Sequence, residues 1–69
     1  MKIQLNGEKA EIPEGLSLAG LVEFLRLTPE RLAIEYNRQI IKRANWTQQE
    51  LKDGDQVEIV QFVGGGAGK

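Results

Sequence analysis

Gln56-Val57-Glu58-Ile59-Val60-Gln61-Phe62-Val63 runs directly into Gly64-Gly65-Gly66, and where this stretch sits decides the architecture. Its apolar residues are mostly β-branched, and Asp53, Gly54 and Asp55 supply turn chemistry just before it, so it reads as the final strand. No local hairpin partner satisfies both of its edges. The simplest solution places it centrally in a sheet, between the first strand and the middle one. Side chains alternate along a strand, so Val57 and Ile59 share a face with Gln61 and Val63, while Glu58, Val60 and Phe62 share the other. With Val57 and Ile59 turned to the core, Val60 and Phe62 emerge on the open face beside the glycines, as an apolar docking surface. The competing expectation is a β-bulge near Val60 that returns Phe62 to the core.

Working outward, Ile3 and Leu5 alternate with Lys2 and Gln4, and Ala10 and Ile12 with Lys9 and Glu11. Asn6-Gly7 between them predicts a hairpin, because both central residues of a type I′ turn need positive φ. Pro13, Glu14 and Gly15 end the second strand. Leu18, Leu21, Val22 and Leu25 then recur at helical spacing and predict the one long helix, with Ser17 as its cap and Leu16 stapled to Leu21. Gly20 inside this helix costs about 1 kcal/mol relative to alanine, which close packing of helix on sheet would explain.

Thr28 and Pro29 open a single helical turn, the threonine as cap and the proline at the first position. Leu32, Ile34 and Tyr36 alternate with Ala33 and Glu35, Asn37-Arg38 reads as a turn, and Ile40 and Ile41 form a short strand ending at Lys42 and Arg43. Trp46 and Leu51 plug one end of the core; a ligand-stacking role for Trp46 is the lesser reading. One helix covers all these strands only if they form one sheet. The fold class is therefore α+β, a β-grasp or ubiquitin-like roll with a mixed sheet of about five strands on one helix. Residues 1–63 form the domain and residues 64–69 a flexible glycine-rich tail.

Sixty-nine residues support one core and at most one site. A hydrophobic content of 41% with 28% charged residues is too apolar for a disordered chain. The sequence holds no cysteine and no histidine, which removes disulfides, thiolate ligands and the commonest general base. A net charge of -1 argues against nucleic acid as a partner, and no basic amphipathic helix suggests a membrane surface. Neither a signal peptide nor a spanning segment is visible, so a cytoplasmic location is expected.

Three consecutive glycines offer a strand no side chains and a helix no stability, but they allow extension into a channel too narrow for other residues. The tail reads as something presented to another protein's active site. A phosphate-binding loop is a poor match for Gly64 to Lys69, because Val63 stands where the first glycine belongs and no Ser, Thr or helix follows. Asp53 and Asp55 are better read as a turn than as cation ligands. Ser17 has no histidine to activate it. Catalysis by this chain alone is not expected.

The run from Asp53 through Gly66 resembles the carboxyl end of the ThiS family, sulfur carriers of thiamine biosynthesis. The likeness extends over almost the whole chain: the Asn6-Gly7 hairpin, the helix after Ser17, Asn37 ahead of Ile40 and Ile41, and Arg43 and Trp46 before Leu51. The resemblance implies a β-grasp carrier rather than an enzyme; a small domain with a mobile tail needs no self-association, so a monomer is expected. It implies that an adenylating, E1-like enzyme activates the carboxylate of Gly66 with ATP and that a cysteine desulfurase supplies the sulfur of a thiocarboxylate. Thiazole synthase then takes that sulfur into the thiazole ring. No cofactor is bound by the carrier; the ATP belongs to the adenylating partner. Gly66 would carry sulfur, Gly64 and Gly65 would thread the partner's channel, and Val60 and Phe62 are the candidate docking residues.

The sequence departs from the family's free diglycine end, since Ala67, Gly68 and Lys69 follow Gly66. A peptide-bonded Gly66 has no carboxylate to adenylate. Either a peptidase removes these residues or they are extraneous to the natural sequence; activation at Lys69 itself would forfeit the reason for glycine. Two other functions fit the same fold: a carrier for molybdopterin or another pathway, and a ubiquitin-like modifier or interaction domain.

Overall fold

Two hairpins flank a central strand in the computed structural model, which describes residues 1–62. The first joins β1 (Lys2–Leu5) to β2 (Glu8–Glu11). Leu5 pairs with Glu8, so Asn6 and Gly7, at φ of 52° and 82°, form the two-residue turn that their sequence predicts. The second joins β3 (Leu32–Tyr36) to β4 (Gln39–Ile41) through Asn37 and Arg38, both also at positive φ. Between the hairpins lies β5 (Gln56–Gln61), in a sheet ordered β2-β1-β5-β3-β4. It runs parallel to β1 and antiparallel to β3. The central placement expected for the last strand is the one observed.

Each turn asparagine supports one edge of β5. Pairing with β1 covers only Gln4 with Gln56 and Leu5 with Val57. Where β1 ends, Asn6 Oδ1 accepts a hydrogen bond from the Ile59 amide at 2.8 Å, and Asn6 Nδ2 donates to the Ile59 carbonyl at 3.4 Å. On the opposite edge Asn37 Oδ1 accepts from the Gln56 amide at 2.9 Å. A side-chain amide thus stands in for the next peptide unit of each neighbouring strand, meeting the requirement that backbone polar groups be paired.

The helix α1 (Leu18–Phe24) is only seven residues long, not the long helix that the leucine spacing predicts. Its stop is a Schellman arrangement: the Leu27 amide donates to the Val22 carbonyl and the Arg26 amide to the Glu23 carbonyl, both at 3.0 Å, with Arg26 at φ 60°. Glycine normally marks that position; arginine there hides the stop. At the other end Ser17 Oγ accepts from the Gly20 amide at 3.1 Å, as a cap should. The next two free donors, Leu18 and Ala19, reach the carbonyls of Gln49 and Trp46. The 46–51 segment therefore closes the helix start, and the Leu51 amide returns to the Leu16 carbonyl.

Two local readings need correction. A methyl group on Gly20 would meet Leu16 Cδ2 at 3.0 Å and no sheet atom among its nearest neighbours, so the crowding comes from the residue before the cap rather than from the sheet. Thr28 precedes a short 3-10 turn, Pro29–Arg31, but its side chain makes no cap bond; the fixed φ of Pro29 starts that turn without it.

The core gathers Ile3, Ile12, Leu18, Leu21, Val22, Leu32, Ile34, Trp46, Leu51 and Val57. Trp46 is 3% exposed and its Nε1 donates to the Ile41 carbonyl at 2.9 Å, which leaves no ring face for a ligand. Asp53 and Asp55 are structural acceptors: Asp53 Oδ1 takes the Lys2 amide, and Asp55 Oδ2 takes the Lys52 amide and the Tyr36 hydroxyl, each at 2.7 Å. Burial, helped by the Asp55 carboxylate, holds the Tyr36 phenol above its ordinary pKa. Among the described residues no helix is long and apolar enough to cross a membrane.

Candidate functional site

Alternation fixes which side chains the helix covers. Ile3 and Leu5, Leu32, Ile34 and Tyr36, and Val57 and Ile59 turn inward and belong to or pack against the core. Their neighbours in sequence face outward on the uncovered side of the sheet. The register of β3 on β5 is unbroken from Leu32 opposite Gln61 to Tyr36 opposite Val57, so no bulge intervenes near Val60. Val60 and Phe62 are consequently 55% and 58% exposed, as the phase switch in β5 requires.

The face has an apolar and an acidic part. Val60 lies opposite Ala33, and Ile40, 76% exposed, lies opposite Glu35 on the next strand. Glu35 in turn lies opposite Glu58. A shallow hollow of about 150 Å³ is lined by Ala33, Glu35, Ile40, Glu58 and Val60 together. Toward the hairpin turns a second hollow, of about 340 Å³, is lined by polar groups that include Gln4, Gln56 and Arg38. Sequence reading placed Val60 and Phe62 on this face, with Glu58 beside them but without a role, and missed Ile40 and Glu35. The alternation of β3 held the signal for Glu35, while Ile40 was masked by its apolar neighbour Ile41.

Phe62 is anchored where it leaves the sheet, its amide donating to the Arg31 carbonyl at 2.8 Å. Gly64, Gly65 and Gly66 lie outside the described residues. The four residues that follow Phe62, through Gly66, reach at most about 14 Å when fully extended. Any centre that reacts with Gly66 while Phe62 stays in the sheet must lie within that reach. The Ser17 hydroxyl and the Asp53 and Asp55 carboxylates are committed to backbone amides, so what this surface offers is shape, apolar area and charge.

Comparison with known proteins fits this arrangement. The profile of the ThiS family matches residues 3–66, a span that takes in the hairpins, the helix and all three glycines. The sulfur carrier protein ThiS of Escherichia coli is 32% identical over 66 residues, covering 96% of this chain and all of that protein. The thiazole synthase of Magnetococcus marinus is 41% identical over 66 residues, again 96% of this chain but only 20% of its own length. The chain thus spans about a fifth of that thiazole synthase. A crystal structure of the thiamine biosynthesis protein ThiS from Geobacter metallireducens superposes with a TM-score of 0.83 at 30% identity, covering 96% of this chain and 100% of that one.

Proposed function

The chain belongs to the ThiS family, and on that premise we propose that it is the sulfur carrier of a thiamine pathway, with Gly66 as the residue that bears sulfur. The observation that carries this reading is the run of the family match through Gly66, just after the end of a strand where Val60 and the following Phe62 stand exposed. The domain is a handle, and the glycines are the working end.

A carboxylate is a poor electrophile until its oxygen is converted into a leaving group. In the proposed sequence the Gly66 carboxylate attacks the α-phosphorus of ATP on an adenylating partner and pyrophosphate departs. A persulfide, supplied ultimately by a cysteine desulfurase, then displaces AMP to form an acyl disulfide, and a thiol attacks its S–S bond to release the thiocarboxylate with a new disulfide as the other product. Thiazole synthase passes that sulfur to its acceptor, and an oxygen from the acceptor or from water restores the carboxylate. The partners contribute nucleotide binding and transition-state stabilisation. The carrier contributes an unhindered end and an anchoring surface that makes the reaction effectively intramolecular. Gly64 and Gly65 let the backbone pass where a Cβ would collide.

The carboxyl group of Gly66 is engaged in a peptide bond to Ala67, so activation follows hydrolysis of that bond. The test is pyrophosphate exchange into ATP by the adenylating enzyme of the same thiamine pathway. A chain ending at Gly66 supports exchange, and the chain carrying residues 67–69 does not. Exchange by neither form, with both folded, would overturn the reading.

A further inference from the structure

Among the described residues, Glu35 and Glu58 have no ion-pair partner. They lie directly opposite each other on β3 and β5, where cross-strand Cβ atoms sit about 5 Å apart and like charges repel. The ion pair found among the described residues joins the Met1 amino group to Glu14, far from this face. Arg38 lines the neighbouring polar hollow with both glutamates but lies outside ion-pair distance of either. Glu35 is already half-buried while Glu58 is exposed. Both share one hollow with Ile40 and Val60.

That combination specifies what can cover the face. Burying Ile40, Val60 and Phe62 against a partner also covers the two carboxylates, and unpaired carboxylates resist removal from water. An apolar partner surface is therefore excluded. A guanidinium has the planar, multidentate geometry to bridge two adjacent carboxylates while its flat faces lie against apolar groups. We propose that the open face of the sheet is a docking surface for a partner that presents an arginine between Glu35 and Glu58, ringed by apolar contacts to Ile40, Val60 and Phe62. The partner is the sulfur-accepting thiazole synthase, which rests on the function proposed above. A thiazole synthase carries a region like this chain within its own polypeptide, and the surface adjoins the emerging tail. The glutamate pair is then a recognition element kept at some expense to the free domain.

The test measures affinity of the chain ending at Gly66 for the thiazole synthase of the same organism, by titration calorimetry at several salt concentrations. The variants are Glu35→Gln, Glu58→Gln and both together. The double variant is expected to bind at least about tenfold more weakly at low salt, with a flatter salt dependence. The free double variant should melt at or above the temperature of the unsubstituted chain, because a like-charge pair has been removed. Wild-type affinity and salt dependence in the double variant would overturn the proposal while leaving the carrier function intact. A fall in melting temperature would also overturn it, by giving the carboxylates a role inside the fold. Salt-sensitive self-association that the double variant abolishes would assign the face to a second copy instead. No binding by the unsubstituted chain would overturn this proposal, and pyrophosphate exchange then decides separately whether the function beneath it stands.

Discussion

Replacing Asn6 by alanine tests whether the turn asparagine truly completes the edge of β5. Two terms are lost. The Ile59 amide loses the Oδ1 acceptor at 2.8 Å; because it lies at the surface, water takes over part of the bond, leaving a net loss of about 1 kcal/mol. Alanine also tolerates the left-handed conformation at φ 52° less well than asparagine, which adds about 1 kcal/mol. Asn6→Ala should therefore destabilise by about 2 kcal/mol, and Asn6→Gly, which forfeits the bond but accepts the turn, by about 1 kcal/mol. For a domain of this size these losses correspond to melting temperatures lower by roughly 8–16 °C and 4–8 °C. Urea unfolding of the two variants, followed by Trp46 fluorescence, separates the terms. If glycine matches the unsubstituted chain, the side-chain bond contributes nothing; if alanine and glycine are equally stable, the backbone term is wrong.

Arg26→Gly should stabilise by about 1 kcal/mol in the same assay, since arginine occupies the left-handed Schellman position at φ 60° that glycine fills without strain. Tyr36 has its pKa raised first by burial and then by Asp55, so the folded form holds its proton more tightly than the unfolded chain does. Its contribution is complete below about pH 10 and is lost as pH rises through the folded value. Tyr36→Phe should flatten that alkaline part of the stability profile. Phe62→Asp, at an exposed site, should change stability by less than about 0.5 kcal/mol yet weaken binding of a chain ending at Gly66 to thiazole synthase severalfold; an unchanged affinity would remove Phe62 from the docking surface.

The central position of β5 was legible because its alternation and lack of a local partner allow few sheet topologies, and both hairpins were legible because Asn6-Gly7 and Asn37-Arg38 suit positive φ. The short helix was not, because Arg26 stops it where a glycine would have announced the end. Closure of the helix start by Gln49 and Trp46 carbonyls was equally hidden, since backbone acceptors leave no mark in a side-chain pattern. At the candidate site, strand period alone exposed Val60 and Phe62. The facing of Glu35 and Glu58 required the register between strands that are distant in sequence, and no local rule supplies that.

The decisive measurement is intact and tandem mass spectrometry of the chain ending at Gly66 after incubation with the adenylating enzyme, ATP and a sulfur source. Replacement of one oxygen by sulfur, localised to the Gly66 carboxyl and absent from the chain that continues through Lys69, is the predicted result. A folded chain that acquires no sulfur at Gly66, or one joined instead through Gly66 to a lysine of another protein, would contradict a sulfur-carrier function.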